Sequence, residues 1–213
     1  MEALAAVPVS TLCDVDKSLH VADPAIRPLT TARLCGPAFT VVAAGEFLSV
    51  LQAIGEAAPG DVLVVQAGGA PLAALGELLA TEAWRRGLGG IVVDGYVRDR
   101  AGLPPDLSLW ARGTVPMAGR SDVAPRVGGA VVCGGVRVTP GDLVLADDDG
   151  IVIAPRPQLE ACLERAGEIE RVEAAVLRGI QGGASLIDMT NLAEHVARLR
   201  SGESSSLAIT PPG

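Results

Sequence analysis

Arg98 and Asp99 set a guanidinium beside a carboxylate at the end of the segment Asp94-Gly95-Tyr96-Val97-Arg98-Asp99. The apolar run before it, Gly90-Ile91-Val92-Val93, reads as a buried strand. In open α/β sheets, ligands bind at the carboxyl ends of strands. A carboxylate taken out of water is costly unless something positive meets it. Two partners suit Asp99: the adjacent Arg98, or a divalent metal. The first would make the pair structural, and the second would make it a site for an anionic ligand.

Two further pieces could converge on this pair. One is the apolar run Val62-Leu63-Val64-Val65 with its glycine-rich exit Gln66-Ala67-Gly68-Gly69. The other is Leu75-Gly76-Glu77-Leu78-Leu79. If Gly76 to Leu79 open a helix, their amides are unpaired and attract a carboxylate or phosphate. A glycine at 76 would also let a ligand approach the backbone closely. The apolar spacing of Leu72, Leu75, Leu79 and Ala83 instead predicts a helix over Pro71–Arg86, with Gly87 as its stop. A start at Gly76 is therefore what the chemistry requires, not what the periodicity shows.

Other polar clusters have plainer readings. Asp147-Asp148-Asp149-Gly150 lacks the spacing of a calcium loop and reads as a polar turn. The glycine-rich exit carries neither GxGxxG nor GxxxxGK[ST], so no nucleotide loop is expected. No GxSxG elbow occurs, and His20 and His195 form no zinc-type cluster.

The elements that must hold these groups alternate between helix and strand. Short helices are expected near Ser10–Ser18, capped by Ser10, and over Glu46–Ala57. Phe39–Ala43 and Val62–Val65 read as strands, the latter apolar on both faces. Pro59-Gly60-Asp61 and Pro140-Gly141-Asp142 repeat one turn chemistry, Pro fixing φ and Gly tolerating positive φ. Leu109–Ala111, Ala130–Val132, Val136–Val138, Leu143–Ala146 and Ile151–Ala154 form a β-rich half. Helices follow at Gln158–Leu177 and Asn191–Leu199, with Asn191 and Glu194 placed as a capping box. The pattern predicts an α/β chain with a central mixed sheet in a single domain over 1–200, and a loose tail over 201–213.

Composition narrows the partners. The chain has 213 residues, 49% apolar and 20% charged, with a net charge of −8. Such a balance excludes disorder and argues against nucleic acid and anionic membranes, both of which need a basic face. Aromatics are 2% of the chain, so the core must be aliphatic. Cys13, Cys35, Cys133 and Cys162 show no CxxC spacing and read as reduced thiols. No signal peptide or membrane-length apolar run is evident, so a cytoplasmic protein is expected.

Taken in order, several stretches resemble the family that joins 4-hydroxy-4-methyl-2-oxoglutarate aldolases to the regulator of ribonuclease E activity A (RraA). They are Leu34-Cys35-Gly36-Pro37-Ala38, Pro59 through Val65, Gly76-Glu77-Leu78-Leu79-Ala80, Arg86-Gly87-Leu88-Gly89-Gly90, Asp94 through Asp99, and Pro140-Gly141-Asp142 through Ile153. The resemblance implies a layered α/β/β fold of the swivelling type, assembled as homotrimers or homohexamers. It implies a divalent-metal (class II) aldolase acting on 4-hydroxy-2-oxo acids to give pyruvate, with oxaloacetate decarboxylation as a second activity. Regulators of the family lack the metal-binding aspartate, whereas this chain has both Arg98 and Asp99. By the same resemblance, Asp99 holds Mg2+ or Mn2+, and Arg98 with the amides of Gly76, Leu78 and Leu79 binds the substrate carboxylate. Glu77 positions a water for proton transfer. An acid from a neighbouring subunit's C-terminal helix completes the site, with Glu168, Glu170 and Glu173 as candidates. The chain departs from the family at Glu77, where the enzymes usually carry Asp, and in lacking the Asp-Asn usual just before the helix that here opens Glu46-Phe47. The alternative the family offers is a non-catalytic regulator that binds a protein such as a ribonuclease.

Overall fold

In the computed structural model, residues 1–211 are described, and the chain divides into two compact units, Met1–Leu163 and Glu164–Gly213. The first unit carries helices α1 (Glu2–Ala6), α2 (Val9–Val15), α3 (Leu48–Glu56) and α4 (Glu77–Arg85). Its strands are β1 (His20–Val21), β2 (Arg27–Pro28), β3 (Leu34–Val42), β4 (Val62–Gln66), β5 (Gly90–Val97), β6 (Leu109–Thr114), β7 (Val131–Cys133), β8 (Val136–Val138), β9 (Leu143–Asp147) and β10 (Gly150–Ala154). Helix α5 (Arg156–Gln181) begins in this unit, and α6 (Leu192–Arg200) lies in the second.

Among the described residues, eight strands form one mixed sheet in the order β1-β10-β9-β3-β4-β5-β6-β2. Strands β3 to β6 are parallel, and the remaining pairings are antiparallel. Alternation along β4 sorts its side chains into two cores. Leu63 and Val65 pack with Val50, Ile54, Ala80 and Ala83 of α3 and α4. Val62 and Val64 face the β7–β8 hairpin, packing with Val131, Cys133, Val136 and Val138. The result is a helix layer, a sheet and a hairpin layer, the α/β/β arrangement that the family resemblance implied.

The repeated turns are built alike. Gly60 and Gly141 take positive φ (87° and 91°), and Asp61 and Asp142 each return a carboxylate to the amide three residues back, Ala58 and Thr139, at 2.8 Å. These turns feed β4 and β9, the two neighbours of β3.

Three local expectations are corrected by non-local contacts. Ser10 does not cap α2, which starts after Pro8; the Val9 amide instead donates to Asp147 Oδ2 at 2.8 Å. A carboxylate suits the positive end of a helix, and it comes from the β9–β10 turn. Helix α3 starts at Leu48 rather than Glu46, because the Phe47 amide donates to the Arg120 carbonyl at 3.1 Å. Helix α4 starts at Glu77 rather than Pro71, as described below.

In the second unit, Asn191 precedes α6 but makes no side-chain cap, and Glu194 lies 3.7 Å from Arg198 rather than reaching back. The Asn191 side chain holds the following segment instead: Oδ1 accepts from the Ala208 amide (2.8 Å), and Nδ2 donates to the Ser206 carbonyl (3.2 Å). Thr190 and Ile209 form an antiparallel bridge, so the segment read as loose is tied back as far as Thr210. Residues 212 and 213 lie outside the described residues.

Asp94 joins the sheet to the hairpin layer. Arg112 Nε donates to Asp94 Oδ1 (2.6 Å), Arg112 Nη1 donates to Asp23 Oδ2 (2.7 Å), and the Gly134 amide donates to Asp94 Oδ2 (2.7 Å). The Ala25 amide and Arg112 together hold the Asp23 carboxyl below its ordinary value. Its contribution to stability is therefore full above the ordinary carboxylate range and fades as acid titrates the folded state. Removing Asp94 would leave the partly buried Arg112 Nε and the Gly134 amide without acceptors, with Asp23 alone still on Arg112. Asp94→Ala is therefore expected to lose about 3 kcal/mol of stability. Urea denaturation checks this, and a loss under about 1 kcal/mol, the scale of a surface pair, would assign the network to the surface.

Candidate functional site

The site forms where β5 runs out. Among the described residues, Asp99 is the one non-glycine with positive φ (58°, with ψ 40°), a left-handed residue that turns the chain into the short 3-10 turn Arg100–Gly102. Aspartate tolerates this region better than most side chains, at a cost of about 1–2 kcal/mol. The turn repays part of that, since the Asp99 carbonyl accepts from the Gly102 amide at 2.9 Å.

The left-handed turn sets the Asp99 carboxylate at the start of α4. Oδ2 accepts from Arg98 Nε at 3.1 Å and meets the Glu77 amide in a long contact of 3.4 Å. Asp99 Oδ1 and the two Nη groups of Arg98 have no hydrogen-bond partner among the described residues. Both side chains are about two-fifths exposed (41% and 43%). The pair is thus coupled through one oxygen and one nitrogen, leaving the other atoms free to bind something else. Of the two partners weighed for Asp99, Arg98 is present, and it does not saturate the carboxylate.

Gly76 makes this arrangement possible. A Cβ at 76 would run into Asp99 Oδ2 and stand 2.8 Å from Arg98 Cγ. Gly76 has ordinary extended backbone (φ −142°), so the requirement is space, not conformation. It is the N-cap of α4 without a side-chain cap, so the first-turn amides of Leu78 and Leu79 have no intrahelical partner, and both residues line the cleft. The helix break that the chemistry required is therefore present.

The residues before it explain why. Ala73–Leu75 run extended between two other segments. The Ala73 amide donates to the Met117 carbonyl (2.8 Å), the Gly119 amide to the Ala73 carbonyl (2.9 Å), the Ala74 amide to the Tyr96 carbonyl (2.9 Å) and the Arg98 amide to the Leu75 carbonyl (3.0 Å). A helix over the same residues would forfeit these bonds. The resulting cleft, about 190 Å3, is lined by Phe47, Ala73, Leu75, Gly76, Leu78, Leu79, Arg98, Asp99 and Ala118.

Gly76, Leu78, Leu79, Arg98 and Asp99 meet as the sequence suggested. Glu77 is exposed and does not line the cleft; its carboxylate packs where a Cβ of Gly102 would fall. The Gly68-Gly69 exit lines no part of this cleft. Gln66 is structural, its Oε1 accepting from the Val132 amide at 2.8 Å. Phe47 and Ala118 were not identified as wall residues from spacing; only the departure before α3 pointed toward Phe47. Glu168, Glu170 and Glu173 lie on α5 in the second unit, where Glu168 pairs with Arg165 at 2.6 Å.

As for a metal, no group of three or more His, Cys, Asp or Glu gathers among the described residues. One incompletely partnered carboxylate does fit a hard ion such as Mg2+, which keeps several waters and uses one or two carboxylates. It does not fit a closed zinc cage. Cys133 is remote from this chemistry: burial pushes its thiol up to about 12, so it stays protonated.

The fold and cleft define a layered α/β protein with a small cleft at the end of a parallel strand. The family described as RraA-like, Aldolase/RraA, matches residues 9–153, and the chain belongs to that family. A protein of Halalkalibacterium halodurans, 35% identical over 85% of this chain and 88% of its own length, carries the provisional name 4-hydroxy-4-methyl-2-oxoglutarate aldolase. One from Burkholderia multivorans with the same provisional name is 38% identical over 67% of this chain and 93% of its own. The solved structure of Streptomyces coelicolor RraAS2, described as an unusual member of the RNase ES inhibitor RraA family, superposes with a TM-score of 0.72. It is 32% identical and covers 81% of this chain and 92% of its own. No helix among the described residues is long and apolar enough to cross a membrane.

Gly76→Ala is expected to keep the fold and displace the Arg98–Asp99 pair. A structure of the variant with Asp99 Oδ2 still 3.4 Å from the Glu77 amide would contradict that reading of the glycine.

Proposed function

We propose that this protein is a divalent-metal-dependent lyase that cleaves a 4-hydroxy-2-oxo acid to pyruvate and a carbonyl product, with oxaloacetate decarboxylation as a second activity. The observation that carries the reading is the Asp99 carboxylate held against an uncapped helix start with half its bonding capacity unused. Its support from the family lies in relatives with provisional aldolase names.

In this reading, Asp99 holds Mg2+ or Mn2+, with Glu77 reaching it through water. When bound, the ion supplies Lewis-acid stabilisation of the negative charge that grows on the substrate's 2-oxo oxygen. The chain's own groups do the rest. The free Nη groups of Arg98 grip the substrate carboxylate in a charge-assisted bond. The amides of Leu78 and Leu79 add donors at the positive end of α4. These contacts fix the 2-oxo acid so that the C3–C4 bond stands over the cleft. Glu77 orients the water that takes the C4 hydroxyl proton; breaking C3–C4 then leaves the enolate of pyruvate, which is protonated at C3. Glutamate in place of the family's usual aspartate moves that water by about one methylene. The reading also includes assembly into trimers or hexamers, with an acid of α5 crossing to a neighbour's cleft.

Incubating the protein with oxaloacetate should release pyruvate in the presence of Mg2+ and stop with EDTA. Asp99→Ala should lose metal binding and activity together, by on the order of 10²–10³ in kcat or more. Arg98→Ala should raise KM and lower kcat. Normal turnover by either variant would remove this cleft from the reaction. Silence of the wild type toward both oxo-acid classes would instead favour a regulator of the kind the RraA relatives' names describe.

A further inference from the structure

The cleft is polarised from one end to the other. Bridges pair Tyr96 with Ala73, Ala73 with Ala118 and Glu46 with Arg120, so four backbone segments lie side by side in the order 96–98, 73–75, 117–120 and 45–47. At ~4.8 Å per step, the Phe47 backbone stands roughly 14 Å from that of Arg98. Arg98 and Asp99 mark the first segment. The rest of the lining is Phe47, Ala73, Leu75, Leu78, Leu79, Ala118 and Gly76. Arg98 is the one cation of the lining and Asp99 the one anion.

Phe47 is fixed in place. Its amide donates to the Arg120 carbonyl (3.1 Å), and the Arg120 amide donates to the Gly45 carbonyl (2.9 Å). The buried Glu46, just before the N-cap of α3, accepts from the Ser49 amide at 3.0 Å. Gly119 packs so closely that a Cβ there would stand 2.8 Å from Glu46 Cα. The backbone that carries the aromatic ring is therefore part of the scaffold.

A 2-oxo acid whose carboxylate sits on Arg98 must extend its other end along this wall. A second carboxylate there would give up water and meet no cationic side chain of the lining, which is costly. An alkyl or aryl group would bury apolar surface instead. Resting on the 2-oxo acid reading above, we infer that Phe47 is a specificity-determining residue and that the substrate is a monocarboxylic 4-hydroxy-2-oxo acid with an apolar group on C4. The reaction balances without a further reactant. The C3–C4 bond breaks, the C4 hydroxyl proton leaves through the oriented water, and C4 becomes the carbonyl carbon of an apolar aldehyde or ketone. The C3 fragment takes up a proton to give pyruvate.

Binding is measured by calorimetry on the full chain with Mg2+, using the unreactive series pyruvate, 2-oxobutanoate, 2-oxopentanoate and 2-oxohexanoate against 2-oxoglutarate. Affinity should rise about threefold to fourfold per added methylene, and 2-oxoglutarate should bind at least tenfold more weakly than 2-oxopentanoate. Phe47→Arg should reverse that order. Equal or tighter binding of 2-oxoglutarate by the wild type would overturn the inference. Pyruvate release from 4-hydroxy-2-oxohexanoate and from 4-hydroxy-4-methyl-2-oxoglutarate separates the two claims. Graded binding without release from either substrate removes the lyase and keeps the apolar wall. Release favouring the dicarboxylate keeps the lyase and removes the wall, and no binding of any 2-oxo acid removes both.

Discussion

One close approach governs the site: the Asp99 carboxylate against the backbone of Gly76. Asp99 reaches that position only by taking left-handed backbone at the end of β5. The conformation is disfavoured, and what offsets it is local: the Gly102 amide on its carbonyl, the Arg98 guanidinium on its carboxylate, and the positive end of α4. The two contacts on the carboxylate need the missing side chain at 76. With a Cβ there, the carboxylate and the Arg98 stem would both have to move. The start of α4, the turn after β5 and the cleft between them are thus one interlocked unit.

What could be read in advance follows from how local each device is. The Pro-Gly-Asp turns were legible because turn, glycine and returning carboxylate lie within four residues. Strand β4 was legible because burial on both faces leaves an unbroken apolar run. The start of α4 was hidden, since Leu72 and Leu75 fit helical spacing and extended pairing equally well. Segments 96–98 and 117–119 decide between the two, and nothing near residue 73 records them. The cap of α2 has the same character, with its carboxylate 138 residues away. Ala118 and Phe47 entered the cleft for the same reason: bridges between distant segments put them there.

The motif that carries the resemblance holds two carboxylates with opposite duties. Asp94 is saturated, accepting from Arg112 and from the Gly134 amide, and it ties the hairpin to the sheet. Asp99 is coupled loosely and faces solvent. The difference comes from β5, whose register slips between Val93 and Tyr96 before the left-handed turn re-aims the last side chain. Spacing alone could not separate a structural acid from a site acid five residues later.

The same fold carries chains with aldolase names and chains named as ribonuclease inhibitors, so architecture does not choose between them. The choice rests on what a binding surface would need. A regulator contacting a protein partner gains nothing from a strained aspartate beside an uncapped helix start, because strain of this kind persists only where the surroundings hold it in place. Here its own turn and the start of α4 hold it, and the pair lines a cleft sized for a small molecule. On the reading proposed above, the incompletely satisfied charge pair at the polar end and the aromatic at the other would orient one small anion along a single axis. Orientation of that kind is what a bond-cleaving reaction needs, and adhesion to a macromolecule does not.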